Sequence, residues 1–319
     1  MSKGITNYIK IFLPIFIGVF CIYISFRNIK FSDFTQYFFE INYLWVIVGI
    51  ILGALSHISR SYRWKYLINP LGYKLGFINS VLAVFSAYLI NYTIPRAGDL
   101  ARATMISKYE NIPLEKTLGT IVAERAVDVI CILIIICIGL TIEFQRISEK
   151  FILLISDKEI SIIFIYLGSM SSILFICYLM IKKSKYYKSI INFFSGIVEG
   201  LTVIFKMKNR NLFILHSIFI WLMYILMFWA TSKAFIQLHE VTFFQLMISF
   251  TLAALSIMFS NGGIGIYPLA VEESLGWYGI QSSTGLAFGW VSWLSQTMMV
   301  VIFGGLSLFI LPFINDNKS

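Results

Sequence analysis

Long apolar runs dominate this chain and limit what it can fold into. Of its 319 residues, 58% are apolar and only 13% are Asp, Glu, Lys or Arg, whereas a soluble domain carries about 25% charged residues. The mean hydropathy of +0.82 excludes a soluble globular enzyme, a disordered chain and a disulfide scaffold. The pattern predicts an all-α polytopic membrane protein. The apolar runs lie at 8–26, 43–69, 75–91, 117–142, 160–181, 211–236, 242–260 and 283–313.

Two of these runs, 75–91 and 242–260, are short for a full membrane span. Each is followed by a stretch rich in Gly, Pro and polar residues, and then by a further helical stretch. Gly and Pro interrupt helices, so each short run predicts a broken helix. The two segments that contain these breaks are 75–113 and 242–280.

The distribution of Lys and Arg orients the apolar runs. Basic residues near the N-terminus and the seven in 182–210 favour the cytoplasm, and the mixed charges of 142–160 suit the outside. On this path, 75–113 enters and leaves at the cytoplasmic face, and 242–280 enters and leaves outside. We therefore expect about six full spans plus two re-entrant helical hairpins in an inverted repeat, with both termini cytoplasmic. The alternative is that each short run is a simple span, which fits the charge bias less well.

The whole chain, 1–319, is predicted to form one integral membrane domain. Its first apolar run is interpreted as a retained span, because no cleavage site of a signal peptide follows it. The segment 186–206 has one apolar and one polar helical face, which predicts an interfacial amphipathic helix. The net charge of +9 is attributed to cytoplasmic loops and anionic lipid, and no nucleic-acid partner is expected.

Charged residues also occur where the chain should lie within the bilayer. Each costs about 2.5–3.5 kcal/mol there and so needs a partner or water. Glu124 and Asp128 are four residues apart in one span and repel each other unless a cation or a proton lies between them. Arg96 or Arg102 from the first hairpin is the expected cation.

Another set of polar residues ends the second span. Arg60 lies about one turn deeper than Arg63 and Trp64, which makes a role in the site more plausible for Arg60. Arg63 and Trp64 alternatively form an interfacial anchor, and this interpretation is favoured for Trp64. His57 is expected to be a core histidine whose hydrogen bonds are satisfied.

Glycines mark the break in the second hairpin. They predict either a tight turn between half-helices, or exposed amide groups that hold a phosphate or carboxylate. The residues predicted to shape the two hairpins are Pro95, Gly98, Gly262, Gly263 and Gly265.

Signatures of catalysis are not found in the sequence. It has no nucleotide-binding loop, no HExxH motif and no nucleophile–base pair that stands out. We therefore expect no catalytic residue, no cofactor and no metal. The cysteines lie inside apolar runs without metal-ligand spacing and are interpreted as small hydrophobic residues: Cys21, Cys131, Cys137 and Cys177.

The order of the polar residues resembles a known family. The pattern Asn91-x-x-x-Pro95-Arg96-x-Gly98-Asp99-x-x-Arg102, then Glu124-Arg125-x-x-Asp128, and later Gly262-Gly263-Ile264-Gly265 is similar to the membrane region of lysylphosphatidylglycerol synthases and related flippase-like proteins. The resemblance covers nearly the whole chain and implies lipid translocation, or a supporting role in glycolipid or phospholipid handling. The soluble aminoacyl-transfer domain of the full synthases is absent from these residues, so synthesis of lysyl-lipid is not expected.

These observations predict a translocase in a bacterial inner membrane that moves a phospholipid or a lipid-linked headgroup, and a homodimer is compatible with it. The main alternative is a polytopic transferase that uses a lipid-linked sugar, with Asp99, Glu124 or Asp128 as the base. A third is a scaffold or accessory protein of envelope glycolipid synthesis. The predicted substrate-binding residues are Arg60, Asn91, Arg96, Asp99, Arg102, Glu124, Arg125 and Asp128.

Overall fold

The computed structural model describes Tyr23 and residues 31–94, 97–145, 148–149 and 207–316. All regular secondary structure in these ranges is helical. The α-helices are α1 (Phe31–Glu40), α2 (Tyr43–Ile68), α3 (Phe77–Thr93), α4 (Gly98–Glu110), α5 (Leu114–Ile142), α6 (Arg210–Ser232), α7 (Phe243–Ser256), α8 (Ile266–Gly276) and α9 (Ser282–Ile314).

Some predicted features lie outside the described residues. They are the apolar run at 160–181, the amphipathic helix at 186–206, Pro95 and Arg96, and, apart from Tyr23, the run at 8–26.

Four helical segments are long and apolar enough to cross a membrane: Tyr43–Leu71, Leu114–Ile142, Arg210–Ser232 and Ser282–Ile314. Even the shortest, with 23 residues, is about 35 Å long at 1.5 Å per residue, and the hydrocarbon core is about 30 Å thick. The predicted long helices in these regions are confirmed, and the chain is a multi-pass membrane protein.

In the first short pair of helices, α3 ends at Thr93 and α4 begins at Gly98. Ile94 has an extended backbone (φ −124°, ψ 109°), as expected for a residue that precedes proline. The side-chain oxygen of Asn91 accepts a hydrogen bond of 2.7 Å from the Gly98 amide, so the end of α3 caps the start of α4. A Cβ on Gly98 would collide with the Ala87 carbonyl oxygen, so glycine permits this close approach.

The second short pair, α7 and α8, is joined by the glycine-rich segment. A capping box between Thr242 and Gln245 begins α7. Three glycines then take up the left-handed region, with φ of 62° at Gly262, 79° at Gly263 and 73° at Gly265. Such φ values disfavour residues with a Cβ, so the segment is a tight turn between two helices.

The long helix α9 packs against both short pairs through glycines. A Cβ on Gly289 would lie 2.7 Å from the Pro268 Cα in α8, and a Cβ on Gly304 would lie 2.8 Å from the Phe85 carbonyl oxygen in α3. Small residues allow membrane helices to approach this closely. One helix therefore supports both interrupted pairs.

The two interrupted pairs also contact each other at their breaks. A Cβ on Gly262 would lie 2.7 Å from the Tyr92 ring, so Tyr92 at the end of α3 covers the glycine turn. The Tyr92 hydroxyl accepts a hydrogen bond of 3.3 Å from Thr297 in α9. Trp293 Nε1 donates a 2.7 Å hydrogen bond to the Gly262 carbonyl, which fixes the turn on α9.

Candidate functional site

Arg60 lies at the centre of a buried group of charges between α2, α4 and α5. Its Nη1 is 2.8 Å from Glu124 Oε1 and 2.5 Å from Asp128 Oδ2. The two carboxylates are one turn apart on α5, and Arg60 is 2% exposed. The arginine therefore relieves the repulsion between them, in a buried position where an unpaired charge is costly.

Arg63 is the second cation on the same carboxylates. Its Nη2 lies 3.1 Å from Asp128 Oδ1 and 3.2 Å from Glu124 Oε1. Its Nη1 donates a 2.8 Å hydrogen bond to Ser217 Oγ, and so connects the group to α6. Arg63 is fully buried and is therefore not an exposed interfacial anchor.

Arg102 brings α4 into the group. Its Nη2 lies 3.2 Å from Glu124 Oε2, and its guanidinium carbon lies 3.6 Å from the centre of the Trp64 ring. Trp64 is fully buried and donates a 2.9 Å hydrogen bond to Thr120 Oγ1. A cation–π contact shielded from water is among the stronger of its kind, so Trp64 positions Arg102 and does not anchor the helix at the interface.

We refer to Arg60, Arg63, Arg102, Glu124 and Asp128 as the buried cluster. Next to it lies a more exposed pair, Asp99 of α4 and Arg125 of α5. Arg125 Nη2 is 2.7 Å from Asp99 Oδ1, and Arg125 Nε is 3.1 Å from Asp99 Oδ2. The side chains of this bidentate pair are 40% and 38% exposed, for Arg125 and Asp99 respectively.

The charges of this region do not cancel. The buried cluster and the Asp99–Arg125 pair contain four arginines and three carboxylates, so the described residues carry one positive charge in excess. The Nε groups of the three buried arginines have no hydrogen-bond partner in the described part of the chain. The described part of this region is therefore electropositive.

The structure brings together most of the residues predicted for the site. Arg60, Asp99, Arg102, Glu124, Arg125 and Asp128 lie in one network, whereas the Asn91 side chain caps α4.

The bridging cation differs from the prediction. Arg102 contacts Glu124 as expected, but Arg60 lies between Glu124 and Asp128.

The residues predicted for the site did not include Arg63 and Trp64, although the sequence contained a signal for them. Arg60, Arg63 and Trp64 are spaced at i, i+3 and i+4, which places them on one helical face. In the described ranges, no group of three or more His, Cys, Asp or Glu side chains is arranged to hold a metal ion.

Comparison with known proteins gives one partial relative. The chain is 38% identical over 87 residues to a UPF0104 membrane protein of Methanocaldococcus jannaschii, and the match covers 26% of each chain. The match thus spans about a quarter of that relative's length. No solved structure matches the chain.

The family comparison covers almost the full length. The family model described as lysylphosphatidylglycerol synthase TM region matches residues 11–304, which include the buried cluster, the Asp99–Arg125 pair and the glycine turn. The chain therefore belongs to the lysylphosphatidylglycerol synthase TM region family.

Proposed function

We propose that this protein moves the headgroup of a phospholipid or lipid-linked substrate between the leaflets of a bacterial inner membrane. The observation that carries the proposal is the excess positive charge beside the half-exposed Asp99–Arg125 pair. A headgroup phosphate is the anion that a membrane offers at this depth, and a guanidinium binds it with two parallel hydrogen bonds.

We propose further that the helices α3 and α4 form the first hairpin and α7 and α8 the second, each re-entrant from one face. Two features of the structure and one general rule support this arrangement. The two pairs are short, with helices of 11 to 17 residues. Their breaks touch through Tyr92 and Gly262. Broken helices that meet near the midplane in an inverted repeat are a common way to build a substrate site in a transporter.

The buried cluster and the Asp99–Arg125 pair have different roles in this proposal. The buried cluster joins α2, α4 and α5 and presents no free guanidinium to a large headgroup. Arg125 is the accessible cation. Its Nη1 lies 3.6 Å from Asp128 Oδ2, so Asp128 helps to orient its side chain. A phosphate displaces Asp99 from Arg125, and Asp99 is then free for a cationic group of the headgroup or for water. Asn91 acts indirectly, because it holds the start of α4.

The proposal is tested by lipid translocation in proteoliposomes. Fluorescent phosphatidylglycerol is incorporated, and the fraction quenched by an impermeant reductant reports movement between leaflets. We expect Arg125→Gln and Asp99→Asn to slow translocation at least tenfold. Because the pair is half-exposed, each change should cost less than about 1 kcal/mol of stability.

The matched control is Lys116→Gln, which removes an exposed charge from the same helix, α5. It should leave both translocation and stability unchanged. If Arg125→Gln and Asp99→Asn both translocate lipid at the wild-type rate, the assigned site is wrong. Failure of the wild-type protein to move any lipid above protein-free vesicles would refute the function.

A further inference from the structure

His57 is a buried titratable residue that the ion pairs do not use. It is 1% exposed, and neither ring nitrogen has a hydrogen-bond partner among the described residues. The sequence predicted a core histidine with satisfied hydrogen bonds, and the structure differs. An unpaired polar group inside a membrane protein lowers stability, so its presence calls for a functional reason.

Aromatic rings surround His57. The imidazole centre lies 4.2 Å from the centre of the Tyr88 ring, 5.4 Å from that of Phe85 and 5.9 Å from that of Tyr224. The apolar surroundings favour the neutral imidazole, yet an imidazolium at these distances gains cation–π attraction. The neutral imidazole is therefore the form expected without an anion, and the three rings offset part of the cost of the imidazolium.

The titratable and charged groups that face His57 determine its protonation state. They are Arg60 one turn along α2, Tyr88 on α3, Tyr224 on α6 and, at longer range, Arg125 on α5. Helix α9 carries no titratable residue. The charged neighbours are thus cations, and the adjoining cluster already has one positive charge in excess. A proton on His57 adds a second, which is unfavourable until an anion arrives.

We propose that His57 takes up a proton when an anionic lipid headgroup binds beside the cluster. This inference rests on the proposed function, because the headgroup supplies the negative charge. Anion binding lowers the cost of the imidazolium, and by linkage the imidazolium raises the affinity for the anion by the same factor.

The direct test is proton uptake on binding. Phosphatidylglycerol in mixed detergent micelles is titrated into the purified protein by calorimetry at pH 7, in two buffers of different ionisation enthalpy. The difference between the two heats gives the number of protons taken up. We expect about one proton for the wild-type protein and none for His57→Gln. His57→Phe, which fills the aromatic box without a polar atom, should also give none and guards against a folding defect in the first variant.

His216→Gln is the matched control, because His216 is a histidine of α6 that is half-exposed and pairs with Ser59. It should retain about one proton, as in the wild-type protein. The inference is overturned if the wild-type protein takes up no proton, if His57→Gln takes up as many as the wild-type protein, or if phosphatidylglycerol does not bind.

The translocation assay separates this inference from the function on which it rests. Lipid movement without proton uptake on binding leaves the proposed function intact and refutes the role of His57. Proton-linked binding without lipid movement supports the role of His57 and refutes the translocase.

Discussion

Arg60 and Asp128 lie 68 positions apart in the chain, and Arg60 Nη1 approaches Asp128 Oδ2 to 2.5 Å. The same nitrogen is 2.8 Å from Glu124 Oε1, so one guanidinium contacts both buried carboxylates of α5. This contact connects α2 to α5. It places the charged centre of the protein on long helices, which hold it rigidly.

Arg60→Gln should be strongly destabilising, because it leaves Glu124 and Asp128 buried with one fewer cation. Loss of one partner from a buried ion pair costs about 3–5 kcal/mol. Thermal unfolding in detergent, followed by the loss of the monodisperse peak in size-exclusion chromatography, measures the effect. Arg125→Gln is the comparison, since it removes an arginine of the same network from a half-exposed pair and should cost less than about 1 kcal/mol. Equal losses in the two variants would contradict the distinction between buried and exposed charges.

A reciprocal pair of amide hydrogen bonds connects α3 to the end of α9. Asn79 Nδ2 donates to Asn315 Oδ1 at 3.0 Å, and Asn315 Nδ2 donates to Asn79 Oδ1 at 2.8 Å. Both residues are buried. Asn79→Leu or Asn315→Leu alone should each cost about 1–3 kcal/mol, because the Oδ1 of the remaining asparagine stays buried without its donor.

The double variant Asn79→Leu/Asn315→Leu should lose less stability than the sum of the two single variants, since no amide remains unpaired. The three variants and the wild-type protein form a double-mutant cycle, and their stabilities are measured by unfolding under one set of detergent conditions. Strict additivity would show that the two amides do not depend on each other.

Gly262→Ala should disturb the contact between the two hairpins. The residue has φ of 62°, and an added Cβ would meet the Tyr92 ring at 2.7 Å. Backbone strain of this kind costs about 1–3 kcal/mol, and the clash adds to it. Gly276→Ala is the control, because no atom lies within 4 Å of its Cβ position and alanine favours a helix. The unfolding temperature should fall for Gly262→Ala and not for Gly276→Ala. An unchanged unfolding temperature in Gly262→Ala would contradict the tight turn.

The proposed re-entrant hairpins predict which loops share a side of the membrane. Lys74 and Glu115 flank the first hairpin, and Glu240 and Gln281 flank the second; all four are exposed. In a variant without its natural cysteines, single cysteines at the first two positions should react with an impermeant maleimide from one face. Cysteines at the other two should react from the opposite face.

Labelling is compared between right-side-out and inside-out vesicles, so that each cysteine is tested from both faces of the membrane. If cysteines at positions 74 and 115 react from opposite faces, then α3 and α4 together cross the membrane, and the inverted repeat is wrong. Labelling of positions 240 and 281 tests the second hairpin independently of the first.

Much of the helical framework could be predicted from the sequence, because the signals are local. Uninterrupted apolar runs define the long helices, and Pro95 and Gly262 mark the two breaks. The spacing of Glu124 and Asp128 also predicts that two carboxylates share one face and need a cation. These conclusions depend only on residues that are close in sequence.

The partners of these residues were decided by the tertiary structure. Spacing along one helix determines which side chains share a face, but the rotation and depth of a neighbouring helix determine what that face meets. For this reason the sequence alone indicated that a cation should lie between Glu124 and Asp128, and packing selected Arg60 for that position. The burial of Trp64 beneath Arg102 and the contact of Tyr92 with Gly262 likewise arise only when separate helices pack against one another.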